Sequence, residues 1–188
     1  MSHLGHRVCP WWIGYFLASP LRKLRQNPHT ILSSFVREGM IVLEPGPGMG
    51  FFTLELARLV GPPGRVVAVD VQPRMLSALR RRAGRARLLD RIETRQVPED
   101  GMGLRDLAGA VDFALAFAMV HEVPDPARFL AEVAAALKPG ARLLLAEPAG
   151  HVNEQEFAAT LELAEHSGLR LESRPVIPSS RAALLVKR

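Results

Sequence analysis

The sequence has little sulfur chemistry available to it: a single cysteine, Cys9, in 188 residues. That excludes an intrachain disulfide and a zinc site built from several thiolates, and it makes a reducing cytoplasm the default compartment. No apolar run approaches the roughly 20 residues that a membrane-spanning helix requires. An export signal is not matched either, because the short apolar patch at residues 9–18 precedes the stronger basic cluster Arg22-Lys23-Leu24-Arg25 rather than following it. Lysine is scarce, so nearly all of the net charge of +5 is arginine. A basic surface suits nucleic acid, anionic lipid or an acidic substrate. Ala, Arg, Gly, Leu and Pro are abundant throughout, however, and compositional bias is the first explanation. With 48% hydrophobic and 23% charged residues, and no internal repeat or low-complexity tract, the chain reads as one globular unit.

What the sequence does have is centred on residues 42–52, VLEPGPGMGFF. A buried strand (Ile41, Val42, Leu43) runs into an acid, Glu44, then into a turn with glycine at every second position, Gly46, Gly48 and Gly50. A helix opens at Phe51-Phe52. Such a turn lets the backbone reverse sharply and presents N–H groups at a helix start, a setting for a carboxylate or phosphate. It is not a phosphate-binding P-loop, which needs Gly-Lys-Ser/Thr at the helix start. It is not G-x-G-x-x-G either, since Phe51 stands where the last glycine should be.

Along the chain, two tryptophans, a tyrosine and a phenylalanine between residues 11 and 16 form an apolar patch expected to pack on the domain or cover a ligand site. Asn27-Pro28 starts a helix carrying Ile31, Leu32, Phe35 and Val36, which Gly39 ends. After the glycine turn, a helix through Phe52, Leu56, Ala57 and Val60 stops at Gly61-Pro62-Pro63-Gly64. Further strands are expected at 66–69, ending in Asp70, and at 92–96, 111–117, 142–146, 169–174 and 182–187. Lys138-Pro139-Gly140 is expected as a turn. Helices are expected from Pro73, from Pro124-Asp125-Pro126 to Leu137, and from an Asn153 cap to His166, with Gly168 as the stop. The alternation of elements and the continuously apolar strands predict an α/β fold, a parallel sheet covered on both faces. Residues 1–38 form the expected N-terminal aromatic and helical cover, and 39–188 the core.

Four stretches in order, VLEPGPGMGFF, VVAVDVQPRML (66–76), VDFALAFAMVHEVPDP (111–126) and LKPGARLLLAEP (137–148), together resemble the class I S-adenosylmethionine (SAM)-dependent methyltransferases across nearly the whole chain. The flavour is similar to the small-molecule group that includes ubiquinone/menaquinone-type and arsenite methyltransferases. The resemblance implies a doubly wound, mostly parallel seven-stranded sheet with helices on both faces and an antiparallel last strand. It implies SAM as cofactor and S-adenosyl-L-homocysteine (SAH) as product. It puts the methionyl end of the cofactor at Glu44 and the turn Gly46-Pro47-Gly48-Gly50. Asp70 falls on the ribose hydroxyls, about 20 residues past the turn. Val71 and Met75 flank the adenosine, and Phe117 ends the fourth strand beside it. The family's acid that contacts adenine has no match in register: either Asp100 or Glu99 serves, shifted in register, or the contact is absent.

The implied reaction is in-line displacement at the methyl carbon, for which alignment supplies most of the acceleration. An acceptor whose pKa lies well above 7 also needs a base. His121, Glu122, Glu147 and His151 lie on loops at the expected active edge, with His121 the best candidate because its ordinary pKa is near neutrality. The alternative is that these residues order the loop. No metal site is expected, since the histidines and acids lack a ligand spacing such as H-E-x-x-H. An aromatic cover beside a small core favours a small, apolar or quinone- or lipid-like acceptor. A lone cysteine counts against arsenite. The rival readings are an RNA methyltransferase, motivated by the arginines of 74–95, and a non-catalytic SAM-binding module. Against RNA, no Asp/Asn-Pro-Pro-Tyr/Phe follows the fourth strand, where Ala116-Phe117-Ala118-Met119 stands. Membrane contact through Trp11 and Trp12 is weakly supported, and both monomer and homodimer remain open.

Overall fold

The structure is a computed structural model that describes residues 26–98 and 100–188. The aromatic patch, Cys9, the basic segment 22–25 and Glu99 lie outside the described residues. The strands expected from the sequence form as β1 (Ile41–Pro45), β2 (Arg65–Asp70), β3 (Ile92–Gln96), β4 (Val111–Phe117) and β5 (Leu137–Pro148), all apolar runs but β3. These five pair in parallel. Strands β6 (Leu169–Ser173) and β7 (Ser180–Lys187) complete a seven-stranded sheet of order β3-β2-β1-β4-β5-β7-β6. Strand β7 is antiparallel to both of its neighbours, so it alone runs against the sheet.

The strands are apolar on both sides because both sides are covered. Val42, Val66, Ala68, Phe113, Leu115 and Leu144 pack with α1 (Pro28–Leu32), α2 (Thr53–Leu59) and α3 (Pro73–Arg85). Their sequence neighbours Leu43, Val67, Ala114 and Leu143 point the other way, toward α4 (Pro126–Ala136) and α5 (Glu154–His166). Period-two alternation thus divides one apolar strand between two cores. Helix starts follow the expected chemistry: Asn27, Asp125 and Asn153 each accept a backbone N–H near the start of their helix, and Asn153 forms a reciprocal capping box with Glu156.

Two expected elements differ. Helix α1 ends at Leu32 rather than reaching Gly39, because the Arg37 guanidinium takes the carbonyls of Ser33, Ser34 and Val36. The chain then turns so that Phe35 stacks on Phe113, ring centroids 5.9 Å apart. Lys138-Pro139-Gly140 is not a turn between elements but a bulge inside β5. Val111 pairs with Leu137 and Phe113 with Arg142, so the additional residues loop out, with Gly140 at φ +76°. Asp112 anchors this region, accepting from Lys138 Nζ at 2.5 Å and from the Ile41 N–H at 2.8 Å.

Sequential order runs outward from β1 through β2 to β3, and from β4 to β5 in the other direction. The carboxyl ends of β1 and β4 therefore flank the reversal point, where an open parallel sheet has its natural crevice.

Candidate cofactor and active site

A cavity of about 650 Å³ lies at that reversal point. Its floor is the end of β1 and the turn after it (Glu44, Gly46, Pro47, Gly48), with Asp70, Val71 and Met75 on one side and Phe117 on the other. The three glycines have positive φ, +64° at Gly46, +54° at Gly48 and +84° at Gly50, yet they do different work. A Cβ at Gly48 would meet nothing within 4 Å, whereas one at Gly46 would lie 3.0 Å from the Met119 Cβ. One at Gly50 would lie 2.4 Å from Cδ1 of Leu79 on α3. Gly50 is therefore a packing glycine, and it is absent from the cavity lining. The Gly46 N–H donates to the Val69 carbonyl, and Arg82 of α3 donates to the Met49 carbonyl, tying the turn to two neighbouring elements.

Glu44 is 3% exposed, and its Oε2 closes no hydrogen bond of good geometry among the described residues. Burial pushes its pKa up to about 8, with the nearby Thr53 hydroxyl drawing it back and the charge of Asp70 adding to the rise. Burial also raises Asp70, to about 6. The backbone N–H groups of Gln72, Gly48 and Val71 oppose that rise, and the charge of Glu122 adds to it. Gln72 N–H lies 2.8 Å from Asp70 Oδ1. Two carboxylates are thus held in a cleft at an energetic cost, the arrangement expected where a cation or donor-rich ligand is taken up.

On the β4–β5 side, Glu147 is 1% exposed. Its Oε1 accepts the Val120 N–H at 2.8 Å, and its Oε2 accepts Nδ1–H of His121 at 2.5 Å. The hydrogen bond to Glu147 raises the His121 pKa above its ordinary value; burial opposes this, and the charges of Glu147 and Glu122 reinforce it. His121 Nε2 stands 3.9 Å from Glu122 Oε1, and the rings of His121 and exposed His151 are edge to face at 5.7 Å. Of these four residues only Glu122 lines the cavity. Among the described residues no group of three His, Cys, Asp or Glu could hold a metal ion.

The methyltransferase-domain family matches residues 43–145, more than half of the chain and a span that holds the cavity lining from Glu44 to Glu132. The chain belongs to the class I SAM-dependent methyltransferases. Its cofactor is SAM. The chain is similar to the ubiquinone/menaquinone biosynthesis C-methyltransferase of Marinomonas sp., 32% identical over 120 residues that make 63% of this chain and 47% of the relative. It is also similar to the protein-L-isoaspartate O-methyltransferase of Methanothrix thermoacetophila, 31% identical over 66% of this chain and 54% of the relative. The chain therefore spans about half the length of these curated relatives. A SAM-dependent methyltransferase structure from Aquifex aeolicus superposes with a TM-score of 0.83 at 25% identity, covering 95% of this chain and 98% of that one.

Of the residues that sequence reasoning assigned to the methyltransferase cofactor site, Glu44, Gly46, Pro47, Gly48, Asp70, Val71, Met75, Asp100 and Phe117 all line one cavity. Gly50 does not, for the packing reason above. His121, Glu147 and His151 lie together but outside the lining. Sequence reasoning missed the opposite wall, where Met102, Arg128, Phe129 and Glu132 line the same space. Glu132 accepts the Met102 N–H at 2.7 Å and Arg128 Nε–H at 3.1 Å, clasping the loop after β3 to α4. In the sequence, Arg128 and Glu132 read only as an ordinary pair on the face of a helix.

Proposed function

We propose that the protein transfers the methyl group of SAM to a small, partly apolar acceptor by in-line displacement. The observation that carries this reading is the orphaned carboxylate oxygen of Glu44 in a cavity where a second buried acid, Asp70, sits across the glycine turn. The donor set fits the cofactor. A buried carboxylate lacking a partner suits an ammonium group, and a second one fixed by backbone N–H groups can accept from a diol. The open space over Gly48 admits a ligand close to the backbone. When bound, the cofactor supplies an already activated methyl group.

In this reading Glu44 takes the methionyl ammonium, Gly46, Pro47 and Gly48 lie against the methionyl end, and Asp70 takes the ribose hydroxyls. Val71, Met75 and Phe117 enclose the adenosine, and Asp100 reaches the adenine amino group. His121 acts as base for an acceptor that must lose a proton. Glu147 keeps the proton on Nδ1 and leaves Nε2 to accept, while Glu122 and His151 complete the cluster. Phe52, Met102, Met119, Val123 and Phe129 give the remaining wall an apolar character, and a relative named for ubiquinone/menaquinone biosynthesis supports an apolar acceptor. Residues 1–38 serve as a cover over the 39–188 core. The side chain of Gln26 donates to the Pro178 carbonyl at 3.0 Å, beside the carboxyl end of β5, which supports a cover at that edge of the sheet. A reducing cytoplasm is the proposed compartment, consistent with one cysteine.

Calorimetric titration with SAM and SAH, beside an Asp70→Ala variant, tests the reading. Micromolar binding that the variant loses is the expected result. Absence of binding to well-folded protein overturns it.

A further inference from the structure

The Glu147–His121 pair does not touch the cavity, but Glu122 touches both. Glu122 lines the cavity, its charge reaches Asp70, and its Oε1 stands 3.9 Å from His121 Nε2. Glu122 and His121 share the short 3₁₀ turn Val120–Glu122, whose first N–H is held by Glu147. The distance between Oε1 and Nε2 is too long for a hydrogen bond and short enough for strong Coulomb coupling.

Resting on the function proposed above, we propose that Glu122 transmits charge from the cavity to His121. His121 then releases a proton from Nε2 when a sulfonium cation enters, and keeps it when the uncharged thioether product is bound. In the ligand-free protein the Glu122 carboxylate stands opposite Nε2 and favours the imidazolium. A cation taken into the cavity offsets the charge of Glu122, and the imidazolium loses that support. The Nε2–H bond breaks, its electron pair stays on Nε2, and the proton passes to solvent. Nδ1–H remains on Glu147. Among the described residues, the charged and titratable groups facing His121 are Glu147 from β5, Glu122 from its own turn and His151 from the segment after β5, with Asp70 of β2 acting on Glu122. The consequence is a base that becomes available only while a methyl group is present to be transferred.

SAM and SAH share their ammonium, carboxylate, diol and adenine, so they load Glu44 and Asp70 alike and differ in the sulfonium charge. The test follows the ring resonances of His121 by ¹H–¹⁵N NMR across pH, in the full-length protein saturated with SAM or with SAH, and in Glu122→Gln. In the unmodified protein the His121 midpoint is expected to be lower with SAM than with SAH by about half a pH unit or more. In Glu122→Gln that difference collapses while both ligands still bind by calorimetry. A Glu147→Gln variant, which lowers the midpoint in both complexes but preserves their difference, separates the role of Glu122 from general loosening of the turn. Equal midpoints in the two complexes of the unmodified protein overturn the coupling alone, as does a difference that persists in Glu122→Gln. Failure of both ligands to bind overturns the cofactor reading and the coupling with it.

Discussion

Glu44 and Asp70 are carboxyl groups that folding makes harder to ionise, and this has a measurable sign. For Glu44 the folded protein holds its proton up to about pH 8, against an ordinary value of 4.5. Between those limits the folded state binds more protons than the unfolded one, so stability falls as pH rises through the window. Asp70 adds a smaller fall between 3.8 and about 6. Denaturant melts of the ligand-free protein should therefore show it more stable near pH 5 than near pH 8, and Glu44→Gln should flatten the upper part of that slope. A slope that Glu44→Gln leaves unchanged would place the titration elsewhere. The same group makes cofactor uptake proton-linked. If an ammonium pairs with the Glu44 carboxylate, SAM binding near pH 7 should release close to one proton more than it does in Glu44→Gln, measured by calorimetry in buffers of different ionisation enthalpy.

The glycines also separate at this scale. Gly50→Ala adds a methyl against the fully buried Leu79 and forces a side chain into positive φ, and should cost about 2–4 kcal/mol of stability. Gly48→Ala meets open space, should cost only about 1 kcal/mol, and should instead weaken SAM binding at the cavity floor. Thermal melts and calorimetry on the two variants distinguish a packing glycine from a ligand-facing one. Sequence alone shows three equivalent glycines. It cannot show that Leu79, 29 positions beyond Gly50, fills the space over one of them.

At the scale of elements, much was legible because local signals agreed with the tertiary environment. Strand β4 begins and ends where its apolar run does, β3 has the expected bounds although only Ile92 of it is buried, and α5 carries the cap that Asn153 announces. Asn153→Ala should remove a reciprocal capping box and cost about 1 kcal/mol without touching the cavity, as a denaturation curve would show. What was not legible depended on partners distant in sequence. The bulge in β5 is set by Val111 and Phe113 on the neighbouring strand, and the end of α1 by Arg37 gathering carbonyls. The Glu132 clasp on Met102 spans 30 positions. For the same reason the cofactor half of the site could be read, since it hangs on strand ends that a motif marks. The wall built by α4 could not.

At the scale of the whole molecule, the net charge of +5 is opposite in sign to the cavity. Among the described lining residues Glu44, Asp70, Asp100, Glu122, Asp125 and Glu132 face one basic side chain, Arg128. Arginine is plentiful away from the cavity, as on α3, where Arg81 and Arg85 are exposed. Binding at the cavity should stabilise the fold broadly, because its lining joins the carboxyl ends of β1, β2 and β4 to the loop after β3 and to α4. At a concentration of SAM about 100 times its Kd the gain is roughly 2.7 kcal/mol, or about 5–10 °C in Tm for a chain of this size. A thermal scan with and without SAM checks it, and a shift confined to Asp70→Ala would contradict the site.

Strand β7, the one that runs against the others, also imposes an order in time. It lies between β5 and β6, yet it is the last of the three to be synthesised. Until residues 180–187 leave the ribosome, β5 presents an open edge and β6 has no strand to pair with. Every residue of the cofactor cavity has emerged by then, so a nascent chain can carry a finished binding site beside an unfinished sheet. Occupancy of that site during translation would shield the first half of the fold while the exposed edge waits for its final strand.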